Sequence, residues 1–265
     1  MLSNQQLAFF ETFGFLFVQQ AFGPKEVVAI GREFDAILER ERGGAPFAGT
    51  KRQVLYGFYE KSPLLMDMLE DDRIYDAAGQ LLGPGFSWLV SEGNLFVGDT
   101  RWHPDGTRLG FAPLKVTMYL DPVTADTGCL RVIPGSHRLP FHEELKPAPT
   151  RDRPTSYDQF GVDATEVPSV PLESRPGDLI YLNMNLWHAA FGGRPGRRQL
   201  SVVFTPEPHT QEHVEMMRTN YEHNIAEIGR YQLSLPGPII DDALANSESP
   251  RVRGLVSKWI ELGLS

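Results

Sequence analysis

RPGDLIYLNMNLWHAAFGGRPGRRQLSVVF, residues 175–204, is the stretch whose reading decides the fold. Pro176 and Gly177 form a turn, DLIYLN reads as a strand, His188 stands at its far end, and a Gly/Pro loop leads into another strand. The same texture runs upstream to residue 86. Short apolar runs (SWLVS, LKVTMYL, CLRVIP) recur there between Gly, Pro and Asp clusters, the pattern of an antiparallel β sandwich or barrel. Helical spacing flanks this middle. Residues 4–13 carry apolar side chains at helical intervals until Gly14, GFLFV reads as a short strand, and residues 24–41 begin on Pro24 and hold Val27, Val28, Phe34, Ile37 and Leu38 near one face. A third helix is expected over 62–82, and the chain turns helical again after Pro208. The expectation is a mostly β protein with flanking α-helices: one domain over 1–265, with N-terminal helical support and a helical extension over about 208–265.

Composition narrows the function. Of 265 residues, 41% are hydrophobic and 22% charged, a globular balance, and no segment approaches the roughly 20 uncharged apolar residues of a membrane span. The amino-terminal MLSNQQLAFFETFGFLFV lacks the basic start and apolar block of a secretory signal, so a cytoplasmic location is expected. A net charge of −9 without a dense Lys/Arg block argues against nucleic acid and anionic membranes and for a small-molecule partner. The single cysteine, Cys129, excludes an internal disulfide framework and reads as a packed residue.

RWHPDG, residues 101–106, carries the chemistry. On a strand, residues i and i+2 face the same way, so His103 and Asp105 point two metal-binding groups at one place. Taken alone, the stretch reads better as a surface turn at Asp105 and Gly106, and a third ligand must come from elsewhere. His188 is the best third donor, and two histidines with one carboxylate make the facial triad that leaves positions open on a non-haem Fe(II).

Together, His103-x-Asp105, CLRVIPGSH at 129–137, PGDLIYLNMNLWHAA at 176–190 and RRQLS at 197–201 resemble the phytanoyl-CoA dioxygenase family of Fe(II)- and 2-oxoglutarate-dependent oxygenases, over roughly residues 5–205. The resemblance implies a double-stranded β-helix, a jelly-roll (cupin-like) barrel, with Fe(II) as cofactor, 2-oxoglutarate and O2 as co-substrates, and His103, Asp105 and His188 as metal ligands. It also implies an arginine about ten residues past the second histidine for the distal carboxylate of 2-oxoglutarate, a role that suits the planar guanidinium fork. Arg197 and Arg198 compete; Arg197 lies nine positions after His188 and opens R-x-x-L-S, so it is the choice. Strand alternation sends Arg197, Gln199 and Ser201 to one face and Arg198 to the other. Thr117, where relatives often carry tryptophan, and Thr100, where some use glutamine, stand at further co-substrate positions. Asn94, Lys115, Tyr119 and Arg131 read either as pocket residues or as ordinary strand and surface groups. The implied reaction couples oxidative decarboxylation of 2-oxoglutarate to oxidation of a substrate C–H bond, with hydroxylation the default. Retention of Asp105 argues against halogenation.

HTQEH, residues 209–213, matches a zinc-hydrolase pattern over five residues with no third ligand, and reads better as a solvated helix. His137 reads as a turn residue; His142 and His223 have no partner signal. Residues 107–114, 51–60 and the C-terminal helices are the material for an entrance or lid. Arg101, Arg108 and Lys115 are either recognition groups for an anionic substrate or surface charges. The alternative to an oxygenase is a non-catalytic member that binds or senses its ligand.

Overall fold

The computed structural model describes residues 1–106, 109–146, 160–231 and 240–264. Helix α1 (Asn4–Phe13) opens on a capping box. The Ser3 hydroxyl accepts from the Gln6 N–H at 3.2 Å, and the Gln6 side chain accepts from the Ser3 N–H at 2.8 Å. Gly14, at φ 81°, ends it, and β1 (Phe15–Val18) follows. Helix α2 (Pro24–Glu41) buries Ile30, Phe34, Ile37 and Leu38 on one face, and β2 (Gln53–Tyr56) follows.

The helix expected over 62–82 is in fact two, α3 (Pro63–Asp67) and α4 (Tyr75–Leu82). Asp71 explains the break. Its carboxylate accepts from the Arg73 N–H at 2.9 Å and from the Arg73 guanidinium, which also reaches Glu26 on α2 at 2.7 Å. A local side-chain bond and a tertiary ion pair thus displace a helical turn.

From Phe86 the chain is strands: β3 (Phe86–Phe96), β4 (Thr100–His103), β5 (Leu114–Tyr119) and β6 (Leu130–Val132). After the short α5 (Phe141–Glu144) come β7 (Val170–Leu172), β8 (Leu179–Asn183), β9 (His188–Ala190) and β10 (Arg197–Pro206). Helices α6 (Gln211–Tyr231), α7 (Asp242–Ala245) and α8 (Pro250–Glu261) close the chain. One sheet runs β1-β8-β5-β10-β3-β2 and the other β4-β9-β6-β7, with antiparallel neighbours in both. This is the double-stranded β-helix.

Two apolar layers hold it. Leu130, Val132 and Leu172 of the small sheet meet Ile180 and Leu182 of the large one in a shared cluster that includes the buried Cys129. Burial pushes the Cys129 thiol up to about 11, as suits a packed residue. On the other side of the large sheet, α4 and α8 pack against β3, and Trp88, Phe204, Val256 and Trp259 join a larger core with residues of α1 and α2. Each buried side chain of this size contributes roughly 1.5–3 kcal/mol. Among the described residues, no helix is long and apolar enough to cross a membrane.

Candidate metal centre

Register builds the centre. In the β4–β9 pair, His103 lies directly opposite His188, and their rings sit 4.4 Å apart between centroids. Asp105, two residues past His103, brings Oδ1 to 3.3 Å from His103 Nε2 and Oδ2 to 3.6 Å from His188 Nε2. The three donor atoms lie within 4.8 Å of one another, and among the described residues no other group of His, Cys, Asp and Glu gathers in this way. Both imidazoles are oriented by backbone. His103 Nδ1–H donates to the Arg101 carbonyl at 2.7 Å and His188 Nδ1–H to the Leu186 carbonyl at 2.9 Å, which leaves both Nε2 lone pairs aimed at the shared point.

The electrostatics suit a cation. Burial alone would raise the Asp105 carboxyl, but Lys115, His188 and His103 together hold it well below the usual range. The His188 imidazole is pushed by burial down to about 4, so it presents a neutral ring at neutral pH. Lys115 Nζ lies 2.7 Å from Asp105 Oδ2, and that ion pair accounts for one of the cations that the sequence left between two roles. Of the others, Arg101 is exposed and has an interaction of its own, and Arg108 lies outside the described residues.

The triad faces a cavity of about 530 Å3 between the two sheets. Arg197 closes its inner end beside Gln199, Tyr119 and Thr117. Although only 5% exposed, its guanidinium keeps Nε and Nη1 without a hydrogen-bond partner. A buried cation left with empty donors is costly unless a ligand meets it, and a carboxylate matches that fork. Glycines make room for the guanidinium itself: a Cβ at Gly193 would lie 1.8 Å, and at Gly128 2.2 Å, from Arg197 Nη1. Arg198 turns the other way and is saturated by Asp121 at 2.7 Å and Asp35 at 2.9 Å. The residues present therefore fit both a metal ion and a dicarboxylate beside it.

Two sequence motifs prove to be braces. In IPGSH, Gly135 adopts φ 78° and donates its N–H to the Phe13 carbonyl, while the Ser136 hydroxyl accepts from the Trp187 N–H at 2.9 Å, immediately before His188. In PGD, the Asp178 carboxylate accepts from the N–H groups of Gln20 at 2.8 Å and Arg175 at 2.7 Å. His137 contacts the Glu11 carbonyl, as a turn residue, and His142 is buried against the Ser136 and Asn185 carbonyls.

Thr100, Thr117, Lys115 and Tyr119 line the cavity, whereas Asn94 and Arg131 do not. The Asn94 side chain instead takes two hydrogen bonds from Arg52, and Arg131 donates to the Ala125 carbonyl. HTQEH gathers no third donor; His213 stacks on Phe111, with ring centroids 4.7 Å apart, and steadies the cavity wall. Residues from all three expected entrance segments reach the cavity, among them Arg52, Phe111 and, on α6, His223. Sequence reading passed over His223 for want of a partner, although Thr219, Asn220, His223 and Asn224 form one polar stripe on a helix, a signal present in the spacing.

Residues 10–198, more than half of the chain, match the phytanoyl-CoA dioxygenase (PhyH) family. The chain belongs to this family. Within it, the chain is 27% identical over 154 residues to the ectoine dioxygenase of Bordetella bronchiseptica, covering 52% of this chain and 50% of that protein. It thus spans about half the length of the curated relatives it matches. Among solved structures, HygX from Streptomyces hygroscopicus with nickel and 2-oxoglutarate bound aligns with a TM-score of 0.63 at 21% identity, over 79% of this chain and 88% of that one. EctD from S. alaskensis with bound Fe aligns with a TM-score of 0.59 at 22% identity, over 77% of each chain. These likenesses show that a PhyH-family fold is what the two sheets build.

Proposed function

We propose that this PhyH-family protein is a non-haem Fe(II)- and 2-oxoglutarate-dependent dioxygenase that oxidises, by hydroxylation, a C–H bond of a small-molecule metabolite in the cytoplasm. In this reading His103, Asp105 and His188 hold the iron and Arg197 takes the distal carboxylate of 2-oxoglutarate, with Thr117 and Thr100 along its flank. Residues 1–265 act as one domain. The observation that carries the reading is the pairing of two features at one end of a single cavity: three convergent metal donors, and a buried guanidinium with donors to spare. Family membership and the ligands named for HygX and EctD point the same way.

When bound, the iron would supply oxidative chemistry with O2 and 2-oxoglutarate that no side chain of this protein can perform. What the chain itself supplies is placement. His103 and His188 present imidazole nitrogen donors, Asp105 supplies an anionic oxygen, and Lys115 pins the other oxygen of that carboxylate. Arg197 fixes the orientation of the dicarboxylate in a water-poor end of the cavity, where a charge-assisted pair is strong. Thr117 spends its hydroxyl hydrogen on the Leu200 carbonyl at 3.1 Å, so towards the cavity it accepts rather than donates.

Anaerobic titration of the protein with Fe(II) and 2-oxoglutarate tests this. A visible metal-to-ligand charge-transfer band is expected, absent in Asp105→Ala and much weakened in Arg197→Ala, followed by O2-dependent release of succinate. A folded wild-type protein without the band would overturn the oxygenase reading in favour of a binding or sensing role.

A further inference from the structure

Polarity changes along the cavity. On β5, Tyr119, Thr117 and Lys115 line it in turn, and beyond the strand Pro113 and Phe111 continue the wall away from Arg197. On β10 the same order runs from Arg197 and Gln199 to Val203. Past the triad the walls are apolar, with Val90, Phe111, Met184, Val203 and Met216. The far end is bordered by α6, which presents the exposed Thr219 and His223 and the half-buried Asn220 and Asn224. Spacings of one, three and one residue keep these four on one helical face. Thr219 is committed to the Glu215 carbonyl at 2.9 Å and Asn224 reaches the Leu89 carbonyl at 3.4 Å. Asn220 and His223 have no hydrogen-bond partner among the described residues.

Charge is confined to the other half of the cavity, and there, Arg197 apart, it is matched. Lys115 pairs with Asp105 at 2.7 Å, and Arg52 approaches Glu92 at 3.7 Å while bonding to Asn94. Arg197 faces the inner end. The described cavity residues of α6 include no Lys, Arg, Asp or Glu. An ionised substrate group held there would meet no opposite charge to offset even a partial loss of its water. An uncharged group that donates and accepts hydrogen bonds meets Asn220 and His223.

We propose that α6 is the substrate-recognition element, and that the outer half of the cavity takes a neutral molecule with an apolar body and an uncharged hydrogen-bonding end, a carboxamide or hydroxyl, seated on Asn220 and His223. This rests on the reading of the inner half as the iron and 2-oxoglutarate end. Because α6 begins beyond residue 198, where the family match ends, recognition is set by a part of the chain outside the matched domain.

Three probes with one apolar body test it: cyclohexanecarboxamide, cyclohexanecarboxylate and cyclohexylmethylammonium. Their dissociation constants are measured by calorimetry on the full chain, with and without Mn(II) and 2-oxoglutarate, for wild type, Asn220→Leu and His223→Leu. At α6, read as the binding that the substitutions weaken, the amide should bind about tenfold more tightly than either ion, and each substitution should weaken amide binding about tenfold while the 2-oxoglutarate dissociation constant stays unchanged. Failure of the amide to bind, carboxylate binding equal to or tighter than the amide's that Asn220→Leu or His223→Leu weakens, or amide binding indifferent to both substitutions would overturn the proposal. Loss of 2-oxoglutarate binding in the wild type would count instead against the oxygenase reading, and the amide preference is measured independently of it.

Discussion

Adjacent on β10, Arg197 and Arg198 face opposite sides of the sheet, and substituting each should separate ligand binding from stability. Arg197→Met removes what is, among the described residues, the one guanidinium with open donors at the inner end of the cavity, so 2-oxoglutarate affinity should fall about 100-fold, the equivalent of ~2–3 kcal/mol for a charge-assisted bidentate pair, with the melting temperature little changed. Arg198→Met breaks the contacts to Asp121 and Asp35 and should cost about 1 kcal/mol of stability without touching that affinity. Calorimetry and thermal melts on the two variants check both halves. Glu60 makes a different residue-scale case. Burial pushes its carboxyl up to about 7, against a short hydrogen bond from Ser91, and Oε1 has no partner. The folded state therefore holds the proton more tightly than the unfolded chain, and stability should decline as pH rises from about 4.5 to about 7. Glu60→Gln should flatten that slope and stabilise the protein at pH 8 by up to about 3 kcal/mol, with little effect at pH 4, as read from urea midpoints at each pH.

At the scale of elements, turns carry the precision. The PGD turn before β8 holds Gly177 at φ 98°, and a Cβ there would lie 2.3 Å from the Phe22 carbonyl oxygen. Gly177→Ala should therefore destabilise by about 2–3 kcal/mol, since both the left-handed backbone and the close approach exclude a side chain. The test is a urea midpoint that falls with unchanged slope. Most elements were legible from the sequence. Residues 24–41 carry their own start signal and apolar face, and the observed α2 has those bounds. The break at residues 68–74 was not legible, because it depends on Arg73 finding Glu26, forty-seven residues away.

For the whole molecule, the donor sets of the proposed ligands lie on different sheets. His103 and His188 belong to the small sheet and Arg197 to the large one, so iron with 2-oxoglutarate would tie the two together, whereas a metal alone would engage one sheet and the loop after it. Saturating Mn(II) with 2-oxoglutarate, at about 100 times the dissociation constant, should stabilise the fold by about 2.7 kcal/mol, visible as a melting temperature raised by a few degrees. Arg197→Met should keep the rise from Mn(II) alone and lose the increment from 2-oxoglutarate, and chelation should remove both. That His103 and Asp105 share a face was legible from strand alternation, because it depends on neighbours in sequence, whereas His188 as their partner and the choice of Arg197 over Arg198 came with the resemblance to the family. The lysine seated on Asp105, the empty donors of Arg197, the glycines that make room for it and the polar face of α6 over the cavity were decided by tertiary structure, because each is a distance between segments that only the closed barrel brings together.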